Sequence, residues 1–239
     1  SVTTPIARPA ASGAVKGSPF DLNDEPAYRA WRERKLDAVP RSVDELHVAI
    51  EDGYRLSAEE MAAVHNALQR ANFAIYTLNG DVGEDKLLIR QLGRQLGLER
   101  LDNNLCCDED SITSLKVVGK RREGEYIPYT NKRLNWHTDG YYNSLDRQIH
   151  GVILHCVRPA ATGGDSALMD HEIAYILLRD EDPEHIRALM QPDAMAIPAN
   201  VVDGREIRPR QTGPVFRLRP DGRLHMRYTA RTRSIEWRD

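Results

Sequence analysis

Apolar residues recur at helical spacing in two segments of the chain. Residues 57–60 have the sequence of a capping box, which is a typical helix start, and the apolar positions that follow are Met61, Val64, Leu68 and Ala71. A second helix is predicted by three leucines four residues apart and a glycine that ends it: Leu88, Leu92, Leu96 and Gly97. Both patterns predict amphipathic helices that pack one face onto a core.

Two further segments are predicted to be helical despite a more polar composition. Residues 24–36 carry many charges, with a candidate apolar face formed by Tyr28, Trp31 and Leu36. Residues 171–190 also favour a helix, and the proline at position 183 interrupts it because proline lacks the backbone donor.

Short apolar and β-branched runs predict strands. Ile149–Val157 has the pattern of a buried strand, and the shorter candidates are residues 46–50, 73–78, 114–118, 194–197, 214–218 and 223–228. Many short strands around a helical N-terminal unit favour an α+β protein built on an antiparallel double-sheet roll.

Composition narrows the classes of partner. The chain has 239 residues, a hydrophobic fraction of 41% and a formal net charge of −3. We therefore expect neither nucleic acid nor a membrane as partner. Residues 1–20, rich in Ala, Pro, Ser and Gly, are predicted to be a flexible extension, and residues 21–239 to be the main domain.

The three cysteines provide no disulfide framework. Cys106 and Cys107 are adjacent, which is a poor geometry for a mutual bridge, and Cys156 lies within an apolar run. Unpaired thiols indicate a reducing compartment, so we expect a cytoplasmic protein.

The candidate chemistry centres on the segment Asn-Trp-His-Thr-Asp-Gly-Tyr-Tyr at residues 135–142. In an extended segment, the side chains of His137 and Asp139 project to the same side and Thr138 projects away. One nitrogen and one oxygen donor are two of the three ligands in the 2-His-1-carboxylate facial triad that binds non-haem Fe(II). The spacing alone is weak evidence, and its context carries the weight.

That context resembles the taurine dioxygenase family of Fe(II)/2-oxoglutarate-dependent oxygenases. The family has a His-Thr-Asp ligand segment, then an apolar strand, then a Gly-Gly-Asp-Thr/Ser loop, and the chain has His137–Asp139, Ile149–Val157 and Gly163–Ser166 in that order. The likeness extends over about residues 56–237. It implies a double-stranded β-helix, or jelly roll, with N-terminal helices.

The resemblance also implies the reaction and its cofactors. His137 and Asp139 would bind Fe(II), 2-oxoglutarate and O₂ would be cosubstrates, and a hydroxylation would release succinate and CO₂. Retention of Asp139 favours hydroxylation, since related halogenases have a small residue there. Ser166 would donate to the distal carboxylate of 2-oxoglutarate, although residues 163–166 taken alone read as a simple turn.

Four residues are candidates for substrate binding. Tyr141 and Tyr142 follow the ligand pair directly, Asn104 lies in a polar loop, and Arg231 belongs to an arginine-rich C-terminal region. An arginine near the iron favours a small anionic or zwitterionic substrate. The alternative is packing for the tyrosines and a solvated surface for the arginine.

The second histidine ligand and the arginine that pairs with 2-oxoglutarate have no match. His225 is a weak internal candidate for the third ligand, because the family places that histidine much further downstream. We therefore expect a chain that lacks its C-terminal strands and is part of a longer protein, and its exposed sheet edges favour a homo-oligomer. The alternative is a non-catalytic binding or scaffolding domain on the same fold.

Overall fold

A computed structural model of the protein describes residues 17–98, 133–231 and 235–238. In these ranges the chain forms two compact units. One contains the described residues up to Ala38, His171–Arg227 and residues 235–238, and the other contains the described parts of Val39–Asp170 and residues 228–231.

Five α-helices and nine strands occur in the described ranges. The helices are α1 Glu25–Asp37, α2 Ala58–Ala71, α3 Lys86–Gln95, α4 His171–Glu181 and α5 Pro183–Leu189. The strands are β1 His47–Ile50, β2 Ile75–Leu78, β3 Met195–Ile197, β4 Asn200–Val202, β5 Arg205–Arg208, β6 Gln211–Gly213, β7 Phe216–Leu218, β8 Leu224–Met226 and β9 Glu236–Trp237.

The unit around Val39–Asp170 is organised by β1, α2 and β2. The strands pair in parallel, with His47 opposite Ile75, and α2 provides the crossover between them. The predicted capping box is confirmed, because the Ser57 hydroxyl accepts from the Glu60 N–H at 3.1 Å. Apolar side chains from β1, α2 and α3 then form the core of this unit: Val48, Ile50, Val64 and Leu92.

Aromatic rings and a buried arginine form the core of the other unit. The Arg179 guanidinium lies 3.8 Å from the centre of the Tyr28 ring and donates to the Tyr175 hydroxyl at 3.0 Å. Phe20 is also buried, with its ring edge-on to Tyr175 at 5.4 Å. A cation held against rings in this way keeps its charge partly compensated inside the core.

The expected apolar face of α1 is only partly correct. Tyr28 is buried, but Leu36 is 37% exposed while its neighbour Lys35 is buried. Lys35 Nζ pairs with Glu172 Oε1 at 3.1 Å, and this ion pair offsets part of the desolvation of the ammonium group.

The small sheets of this unit are antiparallel. β6, β3 and β9 form one sheet in that order, and β4–β5 and β7–β8 are hairpins. The β4–β5 turn is Asp203-Gly204, with φ values of +51° and +75°, as a two-residue primed turn requires. The strands β4, β5, β6 and β9 are absent from the sequence-based prediction, although the Asp-Gly pair signals the first hairpin.

The predicted buried strand at Ile149–Val157 is wrong. The structure assigns no strand to this segment, and Val152 and Leu154 are 56% and 63% exposed. Apolar composition alone cannot form a strand, because its backbone groups need a neighbouring strand to pair with. The prediction at residues 114–118 falls outside the described ranges. The sheets that are described have two or three strands each, and the jelly roll stays an expectation.

None of the helices in the described ranges is both long and apolar enough to span a bilayer.

Two leucines on α3 provide a test of the core. Leu92 is fully buried, whereas Leu87 on the same helix is 59% exposed. We expect Leu92→Ala to lower the free energy of unfolding by about 2–5 kcal/mol, because it leaves a cavity in the core. Leu87→Ala is the matched control and should change it by about 0.5 kcal/mol or less. Denaturant unfolding measures both, and equal effects would contradict this core.

Candidate active site

The candidate metal ligands lie on a segment that pairs with a second segment much later in the chain. Two backbone hydrogen bonds of 2.8 Å join residues 136–138 to residues 228–230, and between them His137 and Thr229 form an antiparallel bridge. The flanking position of these bonds makes His137 and Thr229 a non-hydrogen-bonded pair, in which opposite side chains approach most closely. Thr229 is buried, so the partner segment is fixed by packing.

His137 and Asp139 converge as the sequence predicts. The Nε2 atom of His137 lies 3.3 Å from Oδ1 of Asp139. Two ligand atoms at about 2.1 Å from a first-row metal and roughly 90° apart are about 3 Å from each other. The observed separation therefore fits a nitrogen and an oxygen donor that share one ion.

The second ring nitrogen of His137 supports the same role. Nδ1 lies 2.7 Å from the backbone carbonyl oxygen of Asn135. A carbonyl only accepts, so this contact places the proton of a neutral imidazole on Nδ1 and leaves the lone pair on Nε2. Histidine ligands commonly donate their other N–H to a carbonyl, which fixes both the tautomer and the ring orientation.

The same contacts determine the direction in which the pKa of His137 changes. The hydrogen bond to Asp139 raises the pKa of His137, burial opposes that change, and the Asn135 carbonyl adds to the increase. The His137 and Asp139 side chains are 28% and 43% exposed, so an ion reaches them without opening the fold.

Gly140 turns the chain directly after Asp139. Its φ is +65°, and a Cβ at this position would lie 2.6 Å from Cδ1 of Ile149 and 3.0 Å from Nδ2 of Asn143. The Asn143 N–H closes the turn by donating to the Gly140 carbonyl at 2.9 Å. Only glycine satisfies both the positive φ and the close approach.

Two tyrosines follow this turn. The Tyr141 ring is edge-on to the His137 imidazole, with 6.3 Å between ring centres, and Tyr142 is edge-on to Tyr141 at 5.2 Å. Both tyrosines are half-buried. The structure therefore brings Tyr141 against a ligand residue, and their role in substrate binding stays a prediction.

The other predicted site residues stand as follows. Ser166 is exposed and follows two glycines with positive φ, Gly163 at +66° and Gly164 at +79°. Arg231 is half-buried, and its backbone N–H donates to the Thr229 hydroxyl at 3.2 Å. Asn104 lies outside the described residues.

Two further histidines have structural contacts. The Tyr76 hydroxyl lies 3.0 Å from Nδ1 of His155, so this histidine has a structural hydrogen bond. Nε2 of His171 lies 2.9 Å from the Leu224 carbonyl oxygen, because the start of α4 packs near β8. In the described ranges, no group of three or more His, Cys, Asp or Glu residues is placed to hold a metal, and His225 is in no such group.

Sequence reasoning missed the partner segment of the ligands. Of the partner segment 228–230, the predicted strand at residues 223–228 includes only the first residue, Tyr228. The hydrogen bond between Thr138 and Tyr228 spans 90 positions. A register between two such distant segments leaves no local pattern, and covariation between related sequences would be the signal that could find it.

Comparison with known proteins finds a matching family and two related proteins. The model of the family described as taurine catabolism dioxygenase TauD, TfdA family matches residues 35–239. A uridine-5'-phosphate dioxygenase from Amycolatopsis sp is 36% identical over 94 residues, which are 39% of this chain and 33% of that protein. A second uridine-5'-phosphate dioxygenase, from Streptomyces sp, is 31% identical over 121 residues, which are 51% of this chain and 43% of that protein. The matched segments thus cover less than half of each relative, and no solved structure matches significantly.

A glycine substitution tests the turn that positions Asp139. We expect Gly140→Ala to lower the free energy of unfolding by about 1–3 kcal/mol more than Gly204→Ala. Both sites have a positive φ, but only Gly140 has neighbours within reach of a Cβ. Chemical denaturation measures the free energy of unfolding of both variants, and the difference between them is the cost of the contact with Ile149, because both share the cost of the positive φ. A Gly140→Ala variant no less stable than the control would contradict the close approach to Ile149.

Proposed function

Because the chain belongs to the taurine catabolism dioxygenase TauD, TfdA family, we propose that it is an Fe(II)- and 2-oxoglutarate-dependent dioxygenase that hydroxylates a small anionic metabolite. The observation that carries the proposal is the approach of His137 Nε2 to Asp139 Oδ1 at 3.3 Å. The proposal includes the jelly roll that the resemblance implies.

In this proposal His137 and Asp139 contribute two of the ligands of Fe(II). The bound ion would supply the activation of O₂ that is coupled to decarboxylation of 2-oxoglutarate to succinate and CO₂. The protein's part is geometric. The Asn135 carbonyl holds the imidazole in one orientation, and the Asp139 carboxylate adds a negative charge that offsets part of the charge of the ion.

Ser166 is the proposed contact for 2-oxoglutarate. Its hydroxyl is exposed and available to donate to a carboxylate, which is a charge-assisted hydrogen bond. The two preceding glycines have positive φ, a conformation that other residues rarely adopt. This loop shape is consistent with a specific role for residues 163–166 as well as with a simple turn.

The substrate class is proposed from the relatives, from the tyrosines that follow the ligand pair, and from Arg231. Both relatives are named for uridine-5'-phosphate, which combines an anionic phosphate with a planar base. Tyr141 and Tyr142 offer aromatic surface for a planar group, and Arg231 offers a cation for an anionic group. Uridine-5'-phosphate is therefore the first substrate to test, and Asn104 is a further proposed contact.

The reaction is tested by succinate formation. We expect the full-length gene product to form succinate from 2-oxoglutarate with Fe(II), ascorbate and air, and His137→Ala in the same protein to abolish this turnover because one ligand is lost. The matched control is His185→Ala, which removes a histidine whose side chain is 45% exposed on α5. Equal turnover in His137→Ala and the unaltered protein would contradict the ligand assignment. Absence of both turnover and metal-dependent 2-oxoglutarate binding would favour a non-catalytic binding domain.

The anion contact is tested at Arg231. We expect Arg231→Gln to weaken binding of uridine-5'-phosphate about 10- to 100-fold, since a charge-assisted hydrogen bond is lost. Uridine, which lacks the phosphate, should bind the variant and the unaltered protein alike. Arg205→Gln, at an exposed position of β5, is the control. Equal loss for uridine and its phosphate, measured by calorimetric titration, would contradict this role.

A further inference from the structure

Thr138, the residue between the two ligands, makes a side-chain contact that the metal chemistry does not require. Its hydroxyl oxygen accepts a hydrogen bond from the Tyr228 N–H at 3.0 Å and lies 3.4 Å from the Tyr228 carbonyl oxygen, to which it donates. The Thr138 N–H donates to the same carbonyl at 2.8 Å. Both backbone groups of Tyr228 are therefore engaged by one threonine.

The acceptor of the Tyr228 N–H is unusual for a paired segment. In a regular antiparallel pair, two opposite residues exchange N–H···O=C bonds through their backbones. Here the second of these bonds goes to the Thr138 hydroxyl in place of the Thr138 carbonyl. The chain enters its turn at Asp139 and Gly140, so the hydroxyl supplies the acceptor at the point where the backbone leaves the pairing.

We propose that Thr138 is a positioning residue, whose hydroxyl holds the ligand segment in the register at which His137 and Asp139 face one metal ion. The inference rests on the proposed function, because it assigns to Thr138 a role toward the ion. The β-branched side chain suits this role, since restricted χ1 rotation keeps the hydroxyl directed at Tyr228.

The role of the hydroxyl is local. Removal of the hydroxyl leaves both 2.8 Å backbone bonds that join residues 136–138 to 228–230 in place. What it removes is the hydrogen bond from the Tyr228 N–H to the residue directly before Asp139, so the orientation of that carboxylate relative to His137 is loosened. The affinity for a metal ion, more than the stability of the fold, should therefore respond.

The test uses two variants and two measurements. Thr138→Val keeps the shape and loses the hydroxyl, whereas Thr138→Ser keeps the hydroxyl and loses a methyl group. Co(II), which does not oxidise in air as Fe(II) does, is titrated into each protein by calorimetry, and thermal unfolding is recorded on the metal-free forms. We expect Thr138→Val to weaken Co(II) binding about 10- to 100-fold, with Thr138→Ser close to the unaltered protein. The Tm of Thr138→Val should fall by only about 2–4 °C.

Each result decides between the possibilities. Weaker Co(II) binding in Thr138→Val with rescue in Thr138→Ser supports the positioning role. Equal Co(II) binding by the unaltered protein and Thr138→Val would overturn this inference and leave the proposed function standing. Equal weakening in both variants would also overturn it, because the hydroxyl would then not be the cause. Lack of Co(II) binding by the unaltered protein would overturn the proposed function together with the positioning role.

Discussion

The pairing of residues 136–138 with residues 228–230 holds the candidate site in place. Its bonds join segments 90 positions apart, and closing so long a loop has an entropic cost that grows only slowly with length. Each hydrogen bond contributes only about 1 kcal/mol, so a few bonds alone do not offset that cost. Burial of Thr229, which is 2% exposed, adds the packing that the bonds need. The position of His137 thus depends on a residue that carries out no chemistry.

Asp139 is positioned by two constraints of different range. On its N-terminal side the chain is paired with Tyr228 through Thr138, and on its C-terminal side Gly140 turns the backbone where a Cβ would clash with Ile149. The long-range pairing sets where the segment lies, and the local turn sets where it ends. Loss of either constraint would leave Asp139 fixed on only one side along the chain. Its carboxylate would then become mobile while the rest of the protein stays folded.

Local signals in the sequence predicted the parts of the structure that local physics determines. The capping box at residues 57–60 and the leucine spacing around Leu92 predicted α2 and α3, because these interactions span one or two helical turns. The i, i+2 spacing likewise predicted that His137 and Asp139 converge. The prediction of a strand at Ile149–Val157 was wrong because a strand depends on pairing with another segment, which the local sequence does not determine. The Thr138 contact was equally hidden, because Tyr228 is distant in the sequence.

Family membership and geometry carry different parts of the functional conclusion. The family match covers residues 35–239 and supports the class of reaction, whereas the His137–Asp139 contact supports the metal that this class needs. Under the proposed function, substrate choice rests on neither, because the proposed substrate contacts Tyr141 and Tyr142 lie just beyond the turn and outside the paired segment. In the proposed site, where backbone pairing holds the segment of the metal donors, the two tyrosines can change without moving the ion. Similar iron chemistry on different substrates is what such a division of roles permits.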